Sequence, residues 1–206
     1  MALYKGKPCG YNRPERRGDG MELLDIVDEN GVPTGAVIDR ETAHRLGIRH
    51  RTAHVWLARM RDGKAELLLQ KRSENKDSHP GCYDISSAGH IPAGQDDVPS
   101  ALRELKEELG LTARPDELLD CGLRQFQLRA SFHGRPFRDD QVSRVFLLWR
   151  DVEPEALSLQ ASEVESARWM DFDACLAMAR SGEPANCVYE EELRMLAPQL
   201  AKGERQ

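Results

Sequence analysis

Residues 89–111 read GHIPAGQDDVPSALRELKEELGL. From about Asp97 the apolar residues fall at helical spacing, with Leu102, Leu105 and Leu109 at i, i+3 and i+7, a narrow stripe suited to packing on a sheet. Glu104, Glu107 and Glu108 then share a roughly opposite face, and residues three and four apart on a helix are neighbours. Such carboxylates repel one another unless solvent screens them or a cation sits among them. Gly110 ends the run, as a residue able to take the left-handed conformation of a helix C-cap does. A solvated helix face with Arg103 and Lys106 as partners would carry the same three glutamates. The Gly-rich polar loop in front of this helix weighs toward a cation site.

The chain outside this stretch narrows the classes. It has 206 residues, 40% of them hydrophobic, enough for one well-cored domain. A formal net charge of -6 argues against a stable nucleic-acid partner. The five cysteines are odd in number, widely spaced and lack any C-x-x-C pair, which reads as reduced thiols in a cytoplasmic protein rather than a disulfide or zinc framework. No apolar run is long enough for a membrane span or a signal peptide.

Residues 1–20, rich in Gly, Pro and basic side chains, read as a loosely ordered tail before one domain over 21–203. Asn30-Gly31 and Asp62-Gly63 each sit between runs of strand formers and predict tight hairpins. RETAHRLG predicts a short helix stopped by Gly47. The polar stretch from Ser73 to Asp97, punctuated by Pro80, Gly81, Pro92 and Gly94, reads as a functional loop. Two further strands are expected around a charged loop HGRPFRDD, residues 133–140, and two helices near the end, the first capped by Asp171 or Asp173. Mixed strands and helices give the class α/β or α+β.

Gly89, then Gln95, then Arg103-Glu104-Leu105-Lys106-Glu107-Glu108-Leu109-Gly110-Leu111 resembles the Nudix box, G-x5-E-x7-R-E-U-x-E-E-x-G-U with U apolar. Every fixed position matches except Gln95, where the family usually has Glu. The resemblance implies the Nudix fold, a mixed β-sheet between α-helices, and cleavage of a diphosphate linkage with Mg²⁺ or Mn²⁺. Hard divalent ions prefer oxygen ligands, which clustered carboxylates supply. It further implies Glu104, Glu107 and Glu108 as metal ligands, with the Gly89 carbonyl as an extra one. Glu104 and Glu107 would then stand at the catalytic centre, and Arg103 would orient a carboxylate there. Gln95 keeps hydrogen-bonding capacity without charge, which points to weaker metal binding or slower turnover.

The segments LDIVDENG, RHRTAHVWL and LLLQKRSENKDSHPGCYDISSAGH are similar to bacterial Nudix proteins related to isopentenyl-diphosphate isomerase. That branch implies Arg72 and Lys76 as diphosphate contacts, with Arg51 a weaker candidate. It also implies a second metal site at His50, His90 and Asp139; His44 is one residue off a third histidine ligand. The isomerase's catalytic cysteine and glutamate correspond to Ala88 and Gln141, which disfavours isomerisation. The general base is open among Glu107, Asp139, Asp140, Glu163 and Glu165. A small-molecule diphosphate, a nucleoside diphosphate derivative or nucleoside triphosphate, is the expected partner. A sensor that binds without turnover is the non-enzyme alternative, hinted at by Gln95. The last helix has a face for its own domain or for a second copy, so a homodimer stays open.

Overall fold

Strand β1 (Leu23–Val27) and strand β2 (Pro33–Asp39) form a two-stranded antiparallel sheet of their own. The turn between them is set by Asp28, whose carboxylate accepts from the Asn30 and Val32 amides, and by Gly31 at φ 76°. The computed structural model describes residues 22–76 and 78–203, so the segment 1–20 read as a tail lies outside it. Helix α1 (Arg40–Leu46) begins under an Asp39 cap to the Thr42 amide and stops at left-handed Gly47. Its entire length is the predicted RETAHRL.

Among the described residues the main sheet has seven strands. Strand β3 (His50–Arg61) and strand β4 (Lys64–Arg72) make the Asp62-Gly63 hairpin, both turn residues at positive φ. Strand β8 (Arg135–Trp149) lies parallel to β3, from His50 opposite Gln141 to Ala58 opposite Trp149. Strand β7 (Leu119–Phe132) pairs antiparallel with β8 at the outer edge. Strand β9 (Val164–Asp171) runs antiparallel to β4. The sheet is mixed, as expected.

Two departures from the sequence reading matter. The polar stretch before the acidic helix contains strand β5 (Tyr83–Asp84) on β4 and strand β6 (Ser87–His90) on the first half of β3. The expected loop 133–140 shrinks to the two residues His133 and Gly134, at φ 50° and 74°, and the rest of it is strand. Two central residues at positive φ make a turn whose twist suits antiparallel strands, so pairing continues to the tip despite the charges.

Alternation along β3 splits its side chains between two cores. Ala53, Val55 and Leu57 face helix α2 (Asp97–Leu109), where Ala101, Leu105 and Leu109 are fully buried. Trp56 and Ala58 face helix α3 (Phe172–Ser181) and helix α4 (Glu190–Gly203) through Cys175, Met178, Leu193, Leu196 and Leu200. Each buried leucine of α2 stabilises by about 1.5–3 kcal/mol relative to exposure, so the acidic helix is held in a fixed register on the sheet.

Candidate active site and metal-ligand clusters

The acidic helix presents its carboxylates unevenly. Glu107 is exposed, Glu104 is half-buried and Glu108 is only 5% exposed. This corrects the reading that all three share a face opposite the leucines: Glu108 sits beside Leu105 and Leu109 on the inward side, aimed at β6. Its Oε2 accepts the Ala88 amide at 3.1 Å. Burial pushes its pKa up to about 8, and burial also raises Glu104. Arg103 offsets part of that burial at Glu104, while Glu108 has no ion-pair partner among the described residues.

Gly89 is where this site is tightest. A Cβ placed there would lie 2.0 Å from the Glu104 carboxyl carbon, so only glycine lets the helix carboxylate close on the β6 backbone. Arg103 reaches Glu104 Oε1 at 2.6 Å and Glu107 Oε2 at 2.9 Å, and donates to the His90 carbonyl at 3.2 Å. It thus ties two of the three glutamates to β6. Gly110 closes the helix at φ 71°, its amide bonded to the Leu105 and Lys106 carbonyls.

A second cluster lies one residue further along β6. His44 from α1, His50 from β3 and His90 from β6 bring their ring nitrogens within 4.8 Å of one another. Asp139 from β8 places Oδ1 3.6 Å from His50 Nε2 and 3.9 Å from His44 Nε2. His50 Nδ1 lies 2.9 Å from the Ile48 carbonyl, which can only accept, so in the neutral ring Nδ1 carries the proton and Nε2 the lone pair. That Nε2 and Asp139 Oδ1 are buried without a hydrogen bond. Burial pushes His44 down to about 3 and His90 well below the ordinary range, so both rings are neutral at pH 7. Neutral imidazoles, an orphaned lone pair and a carboxylate make a donor set that fits a transition metal.

The cations read as phosphate contacts stand nearby but are engaged. Arg72 pairs with Asp84 at 2.8 Å and donates to the Ser78 carbonyl, and Lys76 pairs with Glu163. With Arg40, Asn75, Ser78 and Ser162, Lys76 lines a cavity of about 130 Å³. Arg40 was missed in the sequence; its one signal was a cation four residues before His44 on a short helix.

Arg51 is brought elsewhere. It bonds Asp25 at 3.1 Å, Asp97 at 3.2 Å and the Gln95 carbonyl at 2.8 Å, while Asp25 also accepts the Gly94 amide. It clamps the loop between β6 and α2, and the exposed Gln95 contributes to that clamp only through its backbone. Among the general-base candidates, Asp140 is tied to Arg49 at 2.7 Å and Glu165 to Lys71 at 2.8 Å. Asp139 belongs to the histidine cluster and Glu163 to Lys76. Glu107, bonded by Arg103 yet exposed, keeps an open side.

Residues 48–189 match the family described as NUDIX domain, more than half of the chain. The chain belongs to the Nudix family. An uncharacterized Nudix hydrolase of Clostridium acetobutylicum is 35% identical over 74% of this chain and 71% of its own length. Nudix hydrolase 3 of Arabidopsis thaliana is 34% identical over 82% of this chain, but that match spans only 22% of the plant protein. Among solved Nudix-like folds, DR0079 from Deinococcus radiodurans superposes with a TM-score of 0.61 at 22% identity, covering 84% of this chain and 98% of that one. The NUDIX domain of Shewanella oneidensis NrtR, crystallised with ADP ribose, gives 0.54 at 16% identity, over 73% and 87%. The protein is a Nudix hydrolase, with the mixed sheet and flanking helices of the Nudix fold. Among the described residues no helix is long and apolar enough to cross a membrane.

Proposed function

We propose that this Nudix hydrolase cleaves the diphosphate linkage of a nucleoside diphosphate derivative or nucleoside triphosphate, using Mg²⁺ or Mn²⁺. The observation that carries the reading is the convergence of Glu104 and Glu108 on the β6 backbone at Gly89, with Arg103 tying Glu104 and Glu107 together. Oxygen donors in this number and charge fit a hard divalent ion. When bound, such an ion neutralises phosphate oxygens and lowers the pKa of water. Glu104, Glu107, Glu108 and the Gly89 carbonyl would hold it.

This chain's own groups do the rest. Arg40 and Lys76 line one cavity and receive the diphosphate oxygens, and Arg72 adds a planar guanidinium able to grip two of them. Substrate entry exchanges the Lys76–Glu163 pair for a Lys76–phosphate pair, which leaves the Glu163 carboxylate free at the cavity wall. Glu107, open to solvent, accepts a proton from the attacking water. His44, His50 and His90, with Asp139 beside them, would hold a second metal ion of softer preference. The relevance of ADP ribose rests on the Shewanella domain only as one member of a substrate panel.

Isomerisation lacks its proton carriers. Ala88 stands opposite His54 and Gln141 opposite His50, both on the face that carries the histidines, and neither a methyl group nor an amide exchanges a proton near neutral pH. The test is product release with Mg²⁺ or Mn²⁺ across nucleoside triphosphates, nucleotide sugars, ADP ribose, dinucleotides and isopentenyl diphosphate, run beside Glu107→Gln. Metal-dependent cleavage of a nucleotide, lost in the variant, is the expected result. Binding of the same nucleotides without any cleavage would replace the hydrolase with a sensor.

A further inference from the structure

The β7–β8 hairpin runs on past the start of β3 as a two-stranded arm, from Gln127 opposite Asp140 to Phe132 opposite Arg135. Its two faces differ. Leu128, Ala130 and Phe132 alternate onto the face that carries Asp139 and Phe137, and Phe137 meets His44 with ring centroids 4.7 Å apart. The other face is polar, and its groups are answered up to one point and then no further. Gln125 donates to the Glu29 carbonyl at 2.7 Å, and Gln127 donates to Asp140, which Arg49 also holds at 2.7 Å.

The next cross-strand pair on that polar face is Arg129 opposite Arg138, both exposed. Like charges directly opposite, with Cβ atoms about 5 Å apart, destabilise a ladder. A Cβ at Gly47 would lie 3.2 Å from Arg138 Cβ, so the end of α1 steadies the Arg138 stem without bringing it an acid. Among the described residues, Arg129, Arg138 and Arg135 at the tip are the arginines that enter no ion pair, hydrogen bond or ring contact. In a chain of net charge -6, the unanswered arginines thus gather on one hairpin.

The same arm ends the sheet. Strand β7 is last in the order β5-β4-β3-β8-β7, and among the described residues the backbone of 127–132 pairs with β8 alone. An open edge of this kind accepts a further strand. A second copy pairing there brings more arginine to arginine, so the charge on this edge rejects its own kind and selects an acid. Phe132 and Phe137 lie on the opposite face, which leaves the arginine face without the ring platforms on which single-stranded nucleic acid stacks.

We propose that the outer edge of β7 between Gln127 and Phe132 docks an extended acidic segment of a partner protein as an added strand. Acids at alternate positions of that segment fall on the Arg129–Arg138 face, where a guanidinium takes a carboxylate through two parallel N–H bonds. The positions between them fall beside Leu128 and Ala130, both half-buried, and are apolar. Acid and apolar residues in alternation are therefore the pattern this edge fits.

The probe is a fluorescein-labelled octapeptide of alternating glutamate and valine, titrated with the full chain at low salt and read by anisotropy. Binding is expected, and the variant Arg129→Glu/Arg138→Glu weakens it by about tenfold or more. An octapeptide of alternating glutamate and proline keeps the charge but lacks half of the backbone N–H donors, and should lose most of the binding. Circular dichroism checks that the variant keeps its fold. In urea, Arg129→Ala unfolds at the wild-type midpoint or above it, as relief of a like-charge pair requires. Equal binding by wild type and the charge-reversed variant, or equal binding of the two peptides, overturns the docking edge. So does a lower urea midpoint in Arg129→Ala, which would make that arginine part of the hairpin's own stability. Tighter binding of a uridine oligonucleotide of equal charge, or a dimer in sedimentation that the charge reversal abolishes, would give the surface to nucleic acid or to a second copy and overturn the proposal likewise.

Discussion

The two ligand clusters meet at Gly89 and His90, adjacent residues of β6, and are built in opposite ways. The carboxylate cluster comes from one helix, three glutamates within five residues, brought together by the helical repeat alone. The histidine cluster draws on α1, β3, β6 and β8 and exists only because the strands pair in one register. Local periodicity can write the first into a short motif. Only the tertiary arrangement can assemble the second.

The sharpest way to break the comparison is at its carboxylate side. Glu104→Gln should lower metal-dependent hydrolysis by more than the ~10–100-fold typical of an outer-shell partner, since it replaces a charged carboxylate with a neutral amide. Steady-state kinetics across a Mg²⁺ titration checks it. His50→Ala should lower affinity for Co²⁺ or Zn²⁺ at least as much while leaving the Mg²⁺ dependence of the carboxylate site in place. Equilibrium metal content after dialysis, measured for both variants, separates the clusters; a joint loss would mean they form one site.

Buried charge away from both clusters provides a third comparison. Burial pushes the Glu192 carboxyl up, but His54, Arg124 and Trp56 more than offset it and leave its pKa lowered. A depressed carboxylate pKa gives stability that is present above about 4.5 and is lost as pH falls through the folded-state value. Glu192→Gln, which strips charge from a buried network, should cost about 3 kcal/mol and flatten that acid limb. Urea midpoints from pH 3 to 7 report both.

Smaller effects sharpen the carboxylate side. Asp25→Asn loosens the clamp that holds the Gly94 amide and Arg51, and should weaken Mg²⁺ affinity by about tenfold, the scale of an outer-shell partner. Gln95→Glu, at an exposed side chain whose residue reaches Arg51 only by its backbone carbonyl, should change Mg²⁺ affinity less than Asp25→Asn does. Lys71→Ala, at an exposed pair with Glu165, should change stability by less than about 1 kcal/mol and activity not at all.

Much of this was legible in sequence where the signal is local. The box, the Asn30-Gly31 and Asp62-Gly63 hairpins and the Gly47 stop each depend on a few neighbouring residues. Glu108 was misplaced because a helical wheel gives the angle of a residue but not the width of the face the sheet covers. Strands β5 and β6 were hidden because two- and four-residue strands pair with a partner chosen elsewhere in the chain. The 133–140 segment read as a loop because its charges masked a two-residue turn. The Arg51 clamp carries no spacing rule, as it depends on which strands and loops become neighbours.

The β7–β8 ladder has a further consequence for how this chain can vary. One strand supplies Asp139 to the histidine cluster and places Gln141 opposite His50, and the turn at His133-Gly134 fixes their alignment. An odd insertion or deletion between the turn and the paired core would invert every side chain on its far side, expelling Asp139 from the cluster. Lineages that reshape this hairpin should therefore gain or lose residues two at a time in each strand, so that its length drifts in even steps while its faces stay constant.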